Sequence, residues 1–165
     1  MVMTITLPAN APKSTPEAFE YVGSMGPQVT IDDLKILALV EALGLELYAK
    51  MAEGTDNQAV QDLLMENGHE ELLHAERVSQ AIEILTGEPF PIPPIDQNPI
   101  YTPLPVSEVT RDSLGKLAEA EFAGQDLYAG IAASFDNADA KALFLQNGKE
   151  EAEHGNRLAK AAKLL

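Results

Sequence analysis

The stretch Glu41-Ala-Leu-Gly-Leu-Glu-Leu-Tyr48 returns 80 residues later (121 − 41) as Glu121-Phe-Ala-Gly-Gln-Asp-Leu-Tyr128. At the same shift, Glu70-Glu-Leu-Leu-His-Ala-Glu-Arg77 returns as Glu150-Glu-Ala-Glu-His-Gly-Asn-Arg157. A match of two glutamates and one histidine in each half, all in one register, is hard to obtain by chance. The two halves therefore repeat a chemistry as well as a shape.

All four segments lie on stretches with the spacing of amphipathic α-helices. Thr30, with Asp33 three residues later, predicts a capped helix start. Gly87 and Pro89 predict where the second helix stops. The predicted helices are A from Thr30 to about Gly54, B from the Asp56-Asn57 cap to about Leu85, C from Ser107 to about Ser134, and D from the Asp136-Asn137 cap to near the C-terminus.

Residues 87–107 hold seven of the eleven prolines, a composition that forbids helix and favours an extended path. About 20 such residues reach ~60 Å at ~3.1 Å each, whereas helix B is only ~40 Å long at ~1.5 Å per residue. The segment can therefore run the length of a helix bundle. We predict an all-α four-helix bundle with a long B–C crossover and internal twofold pseudo-symmetry.

The chain of 165 residues suits one domain. Residues 1–29 are predicted to form a partly irregular N-terminal arm, in which Thr15-Pro16-Glu17 favours a short helix. Residues 30–165 form the bundle, with the first helical pair in 30–86, the crossover in 87–107 and the second pair in 108–165.

The composition excludes several classes of function. The absence of cysteine removes thiol ligands and leaves oxygen and nitrogen donors for any metal. A net charge of −15 argues against a nucleic-acid partner. No apolar run is long enough to span a membrane, and the N-terminus lacks a signal sequence, so we expect a cytoplasmic protein without a membrane partner.

The polar residues shared by the two copies predict a metal centre inside the bundle. Glu41 shares a helical stripe with apolar residues, and a lone buried carboxylate would be costly. Glu71 and His74 are one helical turn apart, so both reach the same point. With the second copy, four carboxylates and two imidazoles converge, and two divalent cations would neutralise them. Carboxylate and imidazole without thiolate suit iron or manganese, and suit zinc less well.

The four segments resemble the Glu-x6-Tyr and Glu-Glu-x-x-His segments of the ferritin, bacterioferritin and rubrerythrin superfamily. The resemblance covers residues 30–165 and implies a ferritin-like di-iron protein. It implies terminal metal ligands at Glu41 and Glu121, bridging ligands at Glu71 and Glu151, nitrogen ligands at His74 and His154, and catalytic hydrogen-bond donors to these ligands at Tyr48 and Tyr128.

Three departures from that superfamily limit what the resemblance implies. Gly124 stands where rubrerythrins have an additional glutamate, which puts the metal movement attributed to that residue in doubt. Without cysteines there is no rubredoxin module, so an external electron donor is expected. Leu72 stands where bacterioferritins have the methionine that binds haem, so no haem is expected.

Other polar residues of the repeat receive structural assignments. His69 has Lys149 as its counterpart and is predicted to be solvated. Glu70 and Glu150 point about 100° away from the predicted ligands, which favours surface positions or hydrogen bonds to the ligands. Arg77 and Arg157 are predicted to pair with acids, Glu70-type carboxylates among them.

Helix A carries an additional apolar stripe that helix C lacks. The residues at the corresponding positions of the second half are less hydrophobic or polar. This difference favours a homodimer formed through the first helical pair. The stripe consists of Ile36, Val40, Leu43, Leu47 and Met51.

The function that this pattern favours is oxidation of Fe(II) by oxygen or hydrogen peroxide at a pair of iron ions, as in a ferroxidase or a rubrerythrin-like peroxidase. Two alternatives stay open: an iron-binding or storage protein without turnover, and a structural bundle with a degenerate metal site. Oxygenation of an organic substrate is disfavoured, because helices of this length leave little obvious room for a substrate channel.

Overall fold

The computed structural model describes residues 5–165, which form helices and loops without a β-strand. The closely packed pairs are α2 with α3, α4 with α5, α3 with α5, and α1 with α2. The helices are α1 (Thr15–Gly23), α2 (Ile31–Glu53), α3 (Gln58–Thr86), α4 (Arg111–Ala133) and α5 (Ala138–Ala162), with one 3₁₀ turn at Ile95–Gln97.

The starts of α2, α3 and α5 lie where the sequence places them. The Thr30 hydroxyl accepts a hydrogen bond from the Asp33 amide (3.2 Å), and the Thr30 amide donates to the Asp33 carboxylate (2.8 Å). Asn57 and Asn137 cap α3 and α5 through their side-chain oxygens. At the other end of α3, Gly87 adopts φ 77°, a left-handed conformation that favours glycine.

Two predicted helix starts are wrong by a few residues. α4 begins at Arg111 rather than Ser107, because the Val109 amide donates to the Gly54 carbonyl (3.1 Å) and keeps the preceding residues extended. Thr15, followed by proline, is also the cap that the sequence predicts for α1, but the cap is Ser14, one residue earlier. The Thr15 hydroxyl instead donates to the Thr102 carbonyl (2.7 Å) and ties α1 to the segment between α3 and α4.

That segment and α1 cover the outer face of α2. Ile36 and Leu43 are completely buried in a cluster with Ala18 of α1 and Ile100 of the segment. The Asn98 side-chain amide also donates to the Leu39 carbonyl of α2 (2.9 Å). Three members of the stripe that favoured a homodimer, Ile36, Val40 and Leu43, are therefore buried within the chain itself. The homodimer stays a prediction without that support.

No helix among residues 5–165 has the length and apolar character needed to cross a membrane. α2 and α4 are not a closely packed pair. Between them lies a cavity of about 640 Å³. The expectation that these helices leave little room for a channel is therefore wrong, because sequence gives helix length but not the distance between helices.

Candidate metal centre

The six predicted ligands lie on four helices and are buried, none of them more than 9% exposed. α2 carries Glu41 and α4 carries Glu121. α3 and α5 each carry a glutamate and a histidine separated by one turn, namely Glu71 with His74 and Glu151 with His154.

The pairs on α3 and α5 form one compact group. Glu71, His74, Glu151 and His154 each offer one ligand atom, and these four atoms lie within 4.8 Å of one another. The two imidazole rings are stacked, with centroids 5.0 Å apart and an interplanar angle of 14°. This buried Glu/His group can hold metal ions.

Glu71 and Glu151 each direct one oxygen toward each histidine. Glu71 Oε2 lies 3.5 Å from His74 Nδ1, and Glu71 Oε1 lies 3.2 Å from His154 Nδ1. Glu151 Oε1 lies 3.2 Å from His74 Nδ1, and Glu151 Oε2 lies 3.9 Å from His154 Nδ1. Both carboxylates therefore lie between the two histidines.

Glu41 and Glu121 each approach only one of the histidines. Glu41 Oε2 lies 3.8 Å from His74 Nδ1, and Glu121 Oε2 lies 3.9 Å from His154 Nδ1. The structure thus brings together all six predicted ligands, in two half-sites that share Glu71 and Glu151.

The inward nitrogen of each imidazole lies 3.2 Å from a carboxylate oxygen, but the two atoms are not aligned for a hydrogen bond. His74 Nδ1 and His154 Nδ1 are the two buried side-chain polar atoms of the described chain that lack one. Buried polar atoms are almost always paired, so an exception requires an explanation. Because both atoms point at carboxylates in a thiol-free pocket, a divalent cation fits the residues present.

The outward nitrogen of each imidazole is held by a glutamate from the other half of the chain. His74 Nε2 lies 3.0 Å from Glu150 Oε2. Arg77 donates two hydrogen bonds to the same carboxylate, at 2.6 and 3.1 Å. His154 Nε2 lies 3.0 Å from Glu70 Oε2. Arg157 donates two hydrogen bonds to Glu70, at 2.7 and 3.1 Å, as Arg77 does to Glu150.

These contacts decide between the assignments left open for Glu70 and Glu150. Both carboxylates orient imidazoles rather than lie free on the surface, and both arginines bind Glu70-type carboxylates as predicted. His69 is exposed, as predicted from its exchange with Lys149. A carboxylate on the outer nitrogen fixes the ring orientation and leaves Nδ1 free for a metal.

The two tyrosines also act across the halves. Tyr128 is 1% exposed and donates to Glu41 Oε1 at 2.6 Å. Tyr48 is fully buried and donates to Glu121 Oε1. Each half therefore supplies its own glutamates and histidine, while the other half supplies the groups that orient them.

Sequence reasoning gave no role to Asn67 and Asn147, which are fully buried and join this network. The Asn67 amide donates to the Tyr48 hydroxyl (3.2 Å) and to the His154 carbonyl (3.3 Å). The Asn147 amide donates to the His74 carbonyl (3.1 Å). Their recurrence at the shift of 80 residues was the signal that could have identified them.

Gly44 and Gly124 leave space for the side chains of Glu71 and Glu151. A Cβ at Gly44 would lie 2.6 Å from Glu71 Cγ, and one at Gly124 would lie 3.1 Å from Glu151 Oε2. A larger side chain at position 124, such as the additional rubrerythrin glutamate, would require Glu151 to move.

The charges of the buried group are strongly coupled. Burial and the neighbouring charge of Glu71 raise the pKa of Glu41 to about 7, and burial raises the pKa of Glu151 well above its usual value. Burial opposes ionisation of Glu71, but both histidines outweigh it and hold its pKa below the usual range. Without metal, the cluster is therefore partly neutralised by protons.

The histidines show the complementary shift. Burial alone would lower their pKa values, but the surrounding carboxylates outweigh it. The pKa of His74 is raised, chiefly by Glu150 and Glu151, and that of His154 is raised to about 9, chiefly by Glu121 and Glu71. A metal ion would have to displace these protons, so binding and proton release are linked.

No protein-family model, curated protein or solved structure matches this chain. The resemblance to ferritin-like proteins therefore rests on the four segments of sequence and on the buried Glu/His group.

Proposed function

We propose that α2 to α5 form a ferritin-like four-helix bundle with internal pseudo-symmetry and a long crossover, and that it holds two metal ions. Glu41 and His74 would bind one ion, Glu121 and His154 the other, and Glu71 and Glu151 both. The observation that carries this proposal is the placement of Glu71 and Glu151, each with one oxygen toward each histidine.

Iron is the metal that we propose, with manganese or zinc as other ions that the ligand set would accept. The activity is oxidation of Fe(II) by oxygen or hydrogen peroxide, of the ferroxidase or rubrerythrin-like peroxidase type. A bound iron pair would supply electrons to the oxidant, and turnover as a peroxidase would need an external electron donor.

The residues of the chain have defined tasks in this proposal. Tyr48 and Tyr128 donate hydrogen bonds that keep Glu121 and Glu41 oriented. Glu70 and Glu150 hold the outer imidazole nitrogens, so that Nδ1 faces the carboxylates. The buried surroundings strengthen each of these electrostatic contacts.

The activity is tested by loading metal-free protein anaerobically with Fe(II) and mixing it with oxygen or hydrogen peroxide while recording the absorbance of ferric iron. We expect oxidation much faster than that of free Fe(II), and the faster oxidant identifies the class. Glu71→Ala and Glu151→Ala should both remove the acceleration. Glu76→Ala, an exposed glutamate of α3, is the matched control and should retain it.

The two alternatives predict different results. Uptake of iron far beyond two ions per chain, ending in a soluble mineral, would indicate storage. Oxidation no faster than in buffer, with the fold intact, would leave a structural bundle with a degenerate site.

A further inference from the structure

The cavity between α2 and α4 opens directly onto the candidate metal centre. Four of its lining residues are the glutamates of that centre, which form its inner end: Glu41, Glu71, Glu121 and Glu151. Its volume of about 640 Å³ falls within the ~300–1,000 Å³ typical of small-molecule sites. Oxygen or peroxide alone would need much less space.

The walls of the cavity are apolar. Hydrophobic side chains come from α1, α2 and α4, and several of them are only partly buried in the chain itself. These lining residues include Phe19, Val22, Val40, Leu47, Leu117 and Leu127. Covering such side chains with an apolar molecule removes their surface from water, which is favourable.

Small residues on α4 keep the cavity open. Ala120, Ala123 and Gly130 line it where larger side chains would fill the space. At one end lies the loop between α1 and α2, which also lines the cavity, and its Pro27 carbonyl is 3.4 Å from the hydroxyl of Ser134 at the end of α4. The space is thus bordered by α1, this loop and the two helices.

The charge of the lining restricts the kind of molecule that fits. Among residues 5–165, no lysine, arginine or histidine lines the cavity, whereas Asp126 adds a carboxylate to those of the four glutamates. An anionic head group would find no cationic partner among these lining residues, and a buried unpaired charge is expensive. A neutral molecule avoids this cost.

We propose that this cavity is a binding site for a neutral, mainly apolar organic molecule that lies against the glutamates of the metal centre. The binding itself depends on the cavity alone, and only the role of its inner end rests on the proposed function. The bound molecule would lie against Glu41, Glu71, Glu121 and Glu151, which would hold the metal ions.

The test uses 1-octanol as the neutral probe and octanoate as the anionic one, with the full chain in both metal-free and Zn(II)-loaded form. Methyl NMR signals of Val40, Leu47 and Leu127 report on the cavity, and those of Val60 and Leu64 report on the apolar core elsewhere. We expect saturable shifts of the first set with 1-octanol, and binding of octanoate at least about tenfold weaker.

Variants on α4 supply the matched comparison. Ala120 and Ala123 are exposed residues that line the cavity. Ala120→Phe and Ala123→Phe should each place a ring in the cavity and weaken 1-octanol binding at least about tenfold. Ala129→Phe makes the same change at an exposed position of α4 outside the cavity lining and should bind normally.

Three results would overturn the proposal: no saturable shift with 1-octanol, equal binding of octanoate, or equal losses in Ala123→Phe and Ala129→Phe. A concentration-dependent self-association that Ala123→Phe abolishes, without 1-octanol binding, would assign this face to a second copy of the chain and also overturn it. If 1-octanol binds but neither Zn(II) nor Fe(II) does, the binding site stands and the metal proposal fails.

Discussion

The inner faces of the two halves are alike, whereas their outer faces differ. Around the buried Glu/His group, the glutamates, histidines, tyrosines and arginines of the first half have counterparts of the same type in the second half, as does Asn67 in Asn147. On the outer faces, Ile36 of α2 is fully buried, whereas its counterpart Lys116 pairs with Asp112 at the surface.

The difference has a physical source in the chain. α1 and the segment before α4 cover α2, and no described segment covers α4 in the same way. The inner faces are held alike because each half orients the ligands of the other, so a change in one half disturbs both. The residues of the site therefore depend on both halves, whereas the packing of each outer face depends on the segments that cover that half alone.

The largest expected difference concerns the outer faces. Ile36→Ala removes a fully buried side chain and should lower the free energy of unfolding by about 2–5 kcal/mol. Lys116→Ala, at the matching exposed position, should change it by less than about 0.5 kcal/mol. Denaturant unfolding of metal-free protein measures both. Equal losses would mean that α1 and the segment before α4 do not cover α2.

A smaller difference is expected at the two glycines that face the bridging glutamates. In Gly44→Ala, the new methyl group would lie 2.7 and 2.6 Å from Glu71 Cβ and Cγ. These atoms are close to the α3 backbone, so Glu71 cannot avoid the contact by a change at the end of its side chain. We expect a loss of about 1–3 kcal/mol. Gly124→Ala meets the far end of the Glu151 side chain at 3.1 Å and should be nearly neutral. Denaturant midpoints test this, and a reversed order would contradict the difference in packing at the two glycines.

The tyrosine of each half donates a hydrogen bond to a glutamate of the other half, so a tyrosine variant should affect metal binding in the opposite half. Tyr128→Phe removes the donor to Glu41, so metal binding at His74 should weaken by about 10–100-fold while binding at His154 changes less. Tyr48→Phe should do the reverse. Co(II) titration followed through the NMR signals of the two imidazole rings separates the sites.

Tyr101→Phe is the control for the tyrosine variants, because its hydroxyl contacts Glu46 outside the group (3.4 Å). If each tyrosine variant instead affected the histidine of its own half, the crossed arrangement would be wrong.

The smallest expected effect is the pH dependence of the metal-free protein. The raised pKa of Glu41, about 7 against 4.5, stabilises the fold below pH 4.5, and this contribution is lost as pH rises through 7. The raised pKa of His154, about 9 against 6.5, gives a contribution lost between pH 6.5 and 9. Stability should therefore fall as the pH rises from 6 to 9.

Thermal unfolding of metal-free and Zn(II)-loaded protein at pH 6, 7.5 and 9 measures this dependence. Because the ligands must lose protons to bind metal, the stabilisation by Zn(II) should grow over the same range. A metal-free protein that becomes more stable toward pH 9 would contradict the assigned protonation of the cluster.

The sequence predicted the parts of the site that depend on local spacing. The helices that carry Glu41, Glu71 and His74, and their counterparts, follow from periodicity and capping residues such as Thr30 and Asn57. Repetition then identified the polar residues that matter, because a shift of 80 residues retained them and exchanged many of their neighbours.

The remaining features depend on which helices are neighbours and how far apart they lie. The contact of Glu150 with His74 follows from the close packing of α3 against α5, which no spacing within one helix reveals. The burial of Ile36 depends on where α1 folds back, and the cavity depends on the separation of α2 from α4. Both are properties of tertiary structure that a residue pattern does not contain.

We propose that the two half-sites bind two metal ions through the shared residues Glu71 and Glu151. The most direct measurement is the iron content of protein equilibrated anaerobically with excess Fe(II) and then freed of unbound iron. We predict two ions per chain, and less than one in both Glu71→Ala and Glu151→Ala, because each carboxylate faces both histidines. A chain that binds no iron, or that binds the same amount in these variants as in the original protein, would contradict the account.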